Sequence, residues 1–141
     1  MIVLLKINAA DMTLTDKARF TALVMSCFPE KNEIDWGRVV SVVALEVDDY
    51  VVSCLFVTIA PWSTRMKYAF ELVCTTSKMR QRGYARMVMR HALQRFSPVV
   101  LHVNRGPEHD RLVGMYEKFG FFVEGQNCAE TEMRFDEDGI L

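Results

Sequence analysis

The sequence shows no excess of charge, no long apolar run and no paired cysteines. Each absence removes a class of protein. The formal net charge is -1 and charged residues make up 25% of the chain. That balance argues against a tail that coats nucleic acid or an anionic membrane. The apolar run at residues 2–7 is too short to span a bilayer. No basic stretch precedes it and no small-residue cleavage site follows, so it reads as a first strand rather than a leader. Cys27, Cys54, Cys74 and Cys128 form no C-x-x-C pair and have no histidine at zinc-ligand spacing. Free thiols in a reducing, cytoplasmic setting are expected, with no metal site. His91, His102 and His109 form no metal pattern either, and His102 on a predicted strand is expected to be satisfied or exposed. No repeat, low-complexity segment or Pro/Gly/Ser-rich linker divides the chain.

What is present is 141 residues, of which 50% are apolar. That suits one domain over residues 1–141 with a real core. Residues 2–7 are strand-like. Thr15 offers a helix cap, and Phe20, Leu23, Val24, Cys27 and Phe28 repeat with helical spacing until Pro29. Residues 32–38 are polar and suit a loop or a short turn of helix. The β-branched runs at 39–47 and 51–60, with Asp48, Asp49 and Tyr50 between them, predict a hairpin that Pro61 stops. Residues 66–75 predict a third long strand. Its alternation places Tyr68, Phe70, Leu72 and Cys74 on an apolar face and Ala69, Glu71, Val73 and Thr75 on the other. A helix over 85–96, a buried strand at 99–103, and a helix opening near Gly106-Pro107-Glu108 follow. Gly120 is placed to close that helix, and two strands near 121–123 and 130–135 end the chain. Strands alternate with helices only in the second half, so the order predicts a mixed α/β (α+β) sheet flanked by helices.

The junction between the strand at 66–75 and its helix carries the chemistry. It reads Arg80-Gln81-Arg82-Gly83-Tyr84-Ala85-Arg86. A helix start offers unpaired backbone N–H groups at the positive end of a dipole, and Gly83 lets a ligand approach the backbone closely. With small Ala85 and three arginines, the segment suits a pyrophosphate. A helix start with ordinary solvated arginines is the plainer reading.

Arg80-x-x-Gly83-x-Ala85, together with the downstream Tyr116-x-x-x-Gly120-Phe121, resembles the cofactor-binding motif and tyrosine signature of the GNAT-type N-acetyltransferases. The resemblance covers about the whole chain. It implies a GNAT-like acyl-CoA N-acyltransferase fold of six to seven strands and about four helices, with acetyl-CoA as co-substrate. It implies that Arg80, Gln81, Arg82, Gly83, Tyr84, Ala85 and Arg86 hold the pyrophosphate. Val73, Cys74 and Thr75 would hold the pantetheine arm through their backbone. His109 stands where the family often has Asn reaching the cofactor, Ser53 replaces a common glycine, and residues 104–108 are longer than usual.

Chemically, such an enzyme must deprotonate an amine and protonate a departing thiolate. Glu71 interrupts an otherwise apolar strand and is the candidate base. Its plainer reading is a carboxylate paired with an arginine. Tyr116 is the candidate acid, with core packing as the plainer reading. Cys74 is expected to be a buried inert thiol rather than a nucleophile.

The acceptor side should draw on Glu30, Glu33, Asp35, Trp36, Asp48, Asp49, Trp62, residues 63–67, Glu130, Glu132, Asp136, Glu137 and Asp138. Acids with aromatics suit a small cationic amine such as a polyamine. A peptide lysine or N-terminus, or a non-catalytic acyl-CoA-binding module, are the alternatives. A homodimer through the last strands is a further expectation of the resemblance. No nucleic acid and no membrane are expected as partners.

Overall fold

A computed structural model of the chain describes residues 1–30, 33–60 and 67–136. Pro61, Trp62, residues 63–66, Glu137 and Asp138, singled out above, lie outside these. The elements run β1 (Ile2–Asn8), α1 (Leu14–Cys27), β2 (Val39–Val47), β3 (Tyr50–Ile59), β4 (Tyr68–Thr75), α2 (Tyr84–Leu93), β5 (Val99–Asn104), α3 (His109–Phe119), β6 (Phe122–Gln126) and β7 (Glu130–Phe135). The strands form one sheet in the order β1-β2-β3-β4-β5-β7-β6. Neighbours are antiparallel except β4 and β5, which run parallel. Helix α2 is their crossover. The mixed sheet agrees with the sequence. Three α-helices rather than four are seen among the described residues. The fourth, expected near 32–38, is one 3₁₀ turn at Trp36–Arg38, capped by the Asp35 side chain.

Local chemistry sets the ends. The cap of α1 is Thr13, not Thr15. The Thr13 side chain accepts from the Asp16 N–H, and the Asp16 side chain accepts from the Thr13 N–H. This reciprocal box satisfies two donors that the helix start would otherwise leave unpaired. Asp48 and Asp49 both sit at positive φ, 51° and 71°, which turns the β2–β3 hairpin tightly in the sense of its twist. Gly120 closes α3 at φ 108°. That helix opens at His109, two residues after Pro107. The side chain of its cap, Glu108, bonds no backbone N–H and instead accepts from Arg111.

The sheet separates two cores. On one face α1 brings Phe20, Leu23 and Val24 onto Val42, Ala44, Cys54, Phe56 and Cys74. On the other, α2 and α3 bring Val88, Met89, Ala92 and Tyr116 onto Leu55, Val57, Phe70, Leu101 and Met133.

Two irregularities of β4 shape everything that follows. In register, Cys54 faces Cys74 but Phe56 faces Glu71, so Leu72 and Val73 together oppose the single residue Leu55. This is a β-bulge, and Leu72 takes φ 52° to make it. The bulge overturns the simple alternation. Glu71 shares the α1 face with its partner Phe56, and Cys74 lies on that same face with Cys54. Val73 packs on the opposite side, against the α2–α3 core. Glu71 and Val73 therefore do not share a face, and Cys74 is not opposite Glu71. The second irregularity is a fork. The β4–β5 ladder ends at Phe70–Leu101 although β4 continues to Thr75 and β5 to Asn104.

Candidate active site

The fork opens into a cleft of about 1800 Å³. It is walled by β4 from Ala69 to Thr75, the start of α2, the outer end of β5 and the inner face of α3. Because β4 has no strand partner on this side beyond Phe70, the backbone of its last residues faces the cleft.

The start of α2 closes one end. Gly83 is its cap at φ 81°, and no side chain bonds the first turn. The first intrahelical bond runs from the Met87 N–H to the Gly83 carbonyl. The preceding N–H groups in the turn therefore lack an intrahelical acceptor, and they lie at the positive end of the helix dipole. A Cβ built on Gly83 would meet nothing within 4 Å, so the space over it is open. Gln81 also adopts a left-handed φ, 65°, a cost that loops tend to bear where backbone must be aimed. These features fit the diphosphate of a coenzyme A thioester.

The structure brings Arg80, Gln81, Gly83, Tyr84, Ala85 and Arg86 to the cleft, but not Arg82. Arg80 turns back on its own strand, its Nε donating to the Thr75 carbonyl at 3.1 Å. Val73, Cys74 and Thr75 all line the cleft. Ser53 steadies them by donating to the Cys74 carbonyl (3.2 Å) and bonding the Thr75 hydroxyl (2.9 Å). His109 is buried and its ring is engaged internally, at 2.7 Å from the Thr131 hydroxyl and 2.8 Å from Asp110. It ties the start of α3 to β7.

Tyr116 sits on the inner face of α3, 7% exposed, with its ring edge-on to Phe121. It lines the cleft, and its hydroxyl has no hydrogen-bond partner among the described residues. Burial pushes the phenol up to about 12, with Arg111 acting the other way, so it keeps its proton at neutral pH.

Glu71 is the carboxylate at the fork. Its Oε2 accepts from the Thr58 hydroxyl at 2.5 Å and from the Arg38 guanidinium at 3.0 Å. Neither partner is visible from the local sequence. Cys74 is a poor nucleophile. Its hydrogen bond with Cys54 and its burial raise its pKa, and burial raises that of Cys27 too, so both stay thiols.

The acceptor-side acids sort unevenly. Glu30, Glu130 and Glu132 line the cleft; Glu33, Asp35, Trp36, Asp48, Asp49 and Asp136 do not. Trp36 packs on Phe56 at 5.5 Å and Asp48 pairs with the N-terminal amine, which accounts for them structurally. Among the described residues no cluster suits a metal ion. No helix there is long and apolar enough to cross a membrane.

Known proteins give the same architecture. An acyl-CoA N-acyltransferase from Pseudomonas aeruginosa superposes with a TM-score of 0.76 at 19% identity, over 95% of this chain and 99% of that one. Escherichia coli ElaA gives 0.76 at 15%, with the same coverage. Arabidopsis thaliana Naa50, solved with the bisubstrate analogue CoA-Ac-MVNAL, gives 0.73 at 12%, over 94% and 97%. At these identities the likeness is one of fold. No curated protein matches the chain. The family model described as "Acetyltransferase (GNAT) family" matches residues 11–121. With the forked sheet and the open start of α2, that match places this chain in the GNAT acetyltransferase family.

Proposed function

We propose that the protein moves an acetyl group from acetyl-CoA directly to a primary amine, and that the acceptor is a small cationic amine of the polyamine kind. The observation that supports this most is the meeting of the uncapped α2 start and the unpaired end of β4 in one cleft. Main-chain N–H groups of residues 83–86 would hold the diphosphate, with Arg86 adding charge. The backbone of Val73 to Thr75 would take the pantetheine arm. Bound there, the co-substrate supplies an acetyl group activated as a thioester. Tyr116, protonated and without an internal partner, is the acid for the departing thiolate. Glu71 and the other carboxylates on the α1 side favour a cationic acceptor. The raised pKa values of Cys27 and Cys74 support direct transfer over an acyl-cysteine route.

The test is release of free thiol from acetyl-CoA in the presence of polyamines, amino acids, aminoglycosides and lysine peptides. Turnover fastest with polyamines is the expected result. Acetyl-CoA binding with no turnover on any amine would make the protein a binding module. Turnover on peptides alone would move the acceptor to protein.

A further inference from the structure

Three of the four cysteines meet at one place. Cys27 ends α1, Cys54 lies in β3 and Cys74 in β4, and all three belong to the core between α1 and the sheet. Cys54 and Cys74 are partners in register, with their sulfurs 3.5 Å apart. Opposed residues of antiparallel strands have Cα atoms about 4.5–5.5 Å apart, inside the span that a disulfide bridges. Side-chain rotation is therefore enough to close the bond. Cys27 reaches the same spot from the helix. Its thiol donates to the Thr75 carbonyl at 3.5 Å, one residue from Cys74, and it interacts with the Cys74 thiol. The Thr75 carbonyl also accepts from Arg80, which sets a guanidinium beside the trio.

Packing asks only for small apolar residues here, and Cys54, with no exposure, needs no other account. Cys27 and Cys74 differ. Both line the cleft, and Cys27 is partly exposed. A small solute in the cleft meets Cys27 first and Cys74 next, with Cys54 behind. The proposed acetyl transfer uses none of the three.

We infer that Cys27, Cys54 and Cys74 form a site of oxidative modification, in which a hydroperoxide attacked by Cys27 ends as a disulfide between Cys54 and Cys74. In the first step the peroxide O–O bond breaks. One oxygen passes to the Cys27 sulfur as a sulfenic acid, and water or an alcohol leaves. The Cys74 sulfur then bonds to the Cys27 sulfur, and the sulfenic oxygen departs as water with the Cys74 proton. Finally Cys54 attacks Cys74, and Cys27 leaves as a thiol with the proton that Cys54 gives up. Two sulfurs are oxidised and the peroxide is reduced. The bond moves on to Cys54 because that pair is already opposed in register, whereas Cys27 and Cys74 join a helix end to a strand.

Speed is set by the thiolate fraction. Burial first, then the Cys74 thiol, holds Cys27 above the ordinary thiol range. The Cys54 hydrogen bond first, then burial, does so for Cys74. Arg80 acts the other way on both. The reaction is therefore slow at neutral pH and quickens as pH rises.

The test treats the full chain with hydrogen peroxide, caps free thiols with a maleimide at set times, and maps disulfides by digestion and mass spectrometry. All proteins carry Cys128→Ser, which removes the exposed thiol of the β6–β7 turn. The otherwise native chain should end with Cys54 joined to Cys74 and Cys27 free, faster at pH 9 than at about pH 7. A thiol reductant should reverse it. Cys27→Ser should slow the bond severalfold. Cys54→Ala should stop at a Cys27–Cys74 disulfide, and Cys74→Ala should leave a sulfenic acid on Cys27 with no disulfide. The native map and Cys27→Ser decide the inference even where a core variant fails to fold. Thiols that all stay open to the maleimide overturn it. So does a Cys54–Cys74 bond that forms as fast in Cys27→Ser, and so does Cys27 driven to sulfinic acid with no disulfide in the native chain. None of these outcomes bears on acetyl transfer, which is measured on the reduced protein.

Discussion

The starts of α1 and α2 are built in opposite ways. At α1, Thr13 and Asp16 answer each other's backbone donors. At α2, the cap is a left-handed glycine and no side chain bonds the first turn. Both helices pack amphipathic faces on the same sheet, so their folding needs do not differ. What differs is what lies beyond the end. Solvent lies beyond α1, and the local chain supplies its own acceptors. The cleft lies beyond α2, where donors left open are available to an anion. The start of α3, where Glu108 does not cap either, also borders the cleft, so α1, whose start faces away from it, is the one of the three that closes its own donors.

The contrast can be tested at several strengths. The largest effect should come from Tyr116, the group that the open end of α2 would serve. Tyr116→Phe keeps the packing and removes the proton, so kcat should fall roughly ten- to a thousandfold with acetyl-CoA affinity unchanged. An unchanged rate would return Tyr116 to core packing. The same variant has a stability signature. A phenol raised from 10.0 to about 12 holds its proton more tightly folded than unfolded. Its contribution is therefore intact below about pH 10 and is lost as pH climbs towards 12, by roughly 2–3 kcal/mol. Denaturant melts of wild type should show that fall, and Tyr116→Phe should show less of it. Next, Gly83→Asp gives α2 a capping side chain at the position where α1 has Thr13. Acetyl-CoA affinity should drop about a hundredfold by calorimetry, because like charges would meet. The left-handed backbone adds a stability cost of about 1 kcal/mol. If affinity survives, the comparison between the two starts carries no functional meaning. The smallest effect should be Thr13→Ala, costing about 1 kcal/mol in a thermal melt and nothing in kcat or KM.

The loop motif and most element positions were legible because their signals are local. Arg80 to Arg86 lie together in sequence, and the stripe Phe20, Leu23 and Val24 declares its helix without outside help. The bulge at Leu72 was not legible. Tyr68 to Thr75 reads as unbroken alternation, and only the register against β3 shows two residues set against one. That shift is why the expected faces of Glu71, Val73 and Cys74 were misassigned. Likewise, Arg38 meets Glu71 across 33 residues, and Glu132 meets His102 across 30. Such pairs are made by the sheet and leave no trace in spacing. The α3 start was misplaced because Pro107 suits a first helical position, whereas the chain spends two more residues turning before His109 begins the helix.

The bulge has a kinetic consequence. By sending Glu71 to one side of the sheet and Val73 to the other, it would give the two reactants of the proposed reaction separate doors that meet only at the strand between them. Neither must depart for its counterpart to enter. Initial-rate lines for acetyl donor and amine should therefore intersect rather than run parallel, and labelled coenzyme A should not exchange into acetyl-CoA until an amine is supplied.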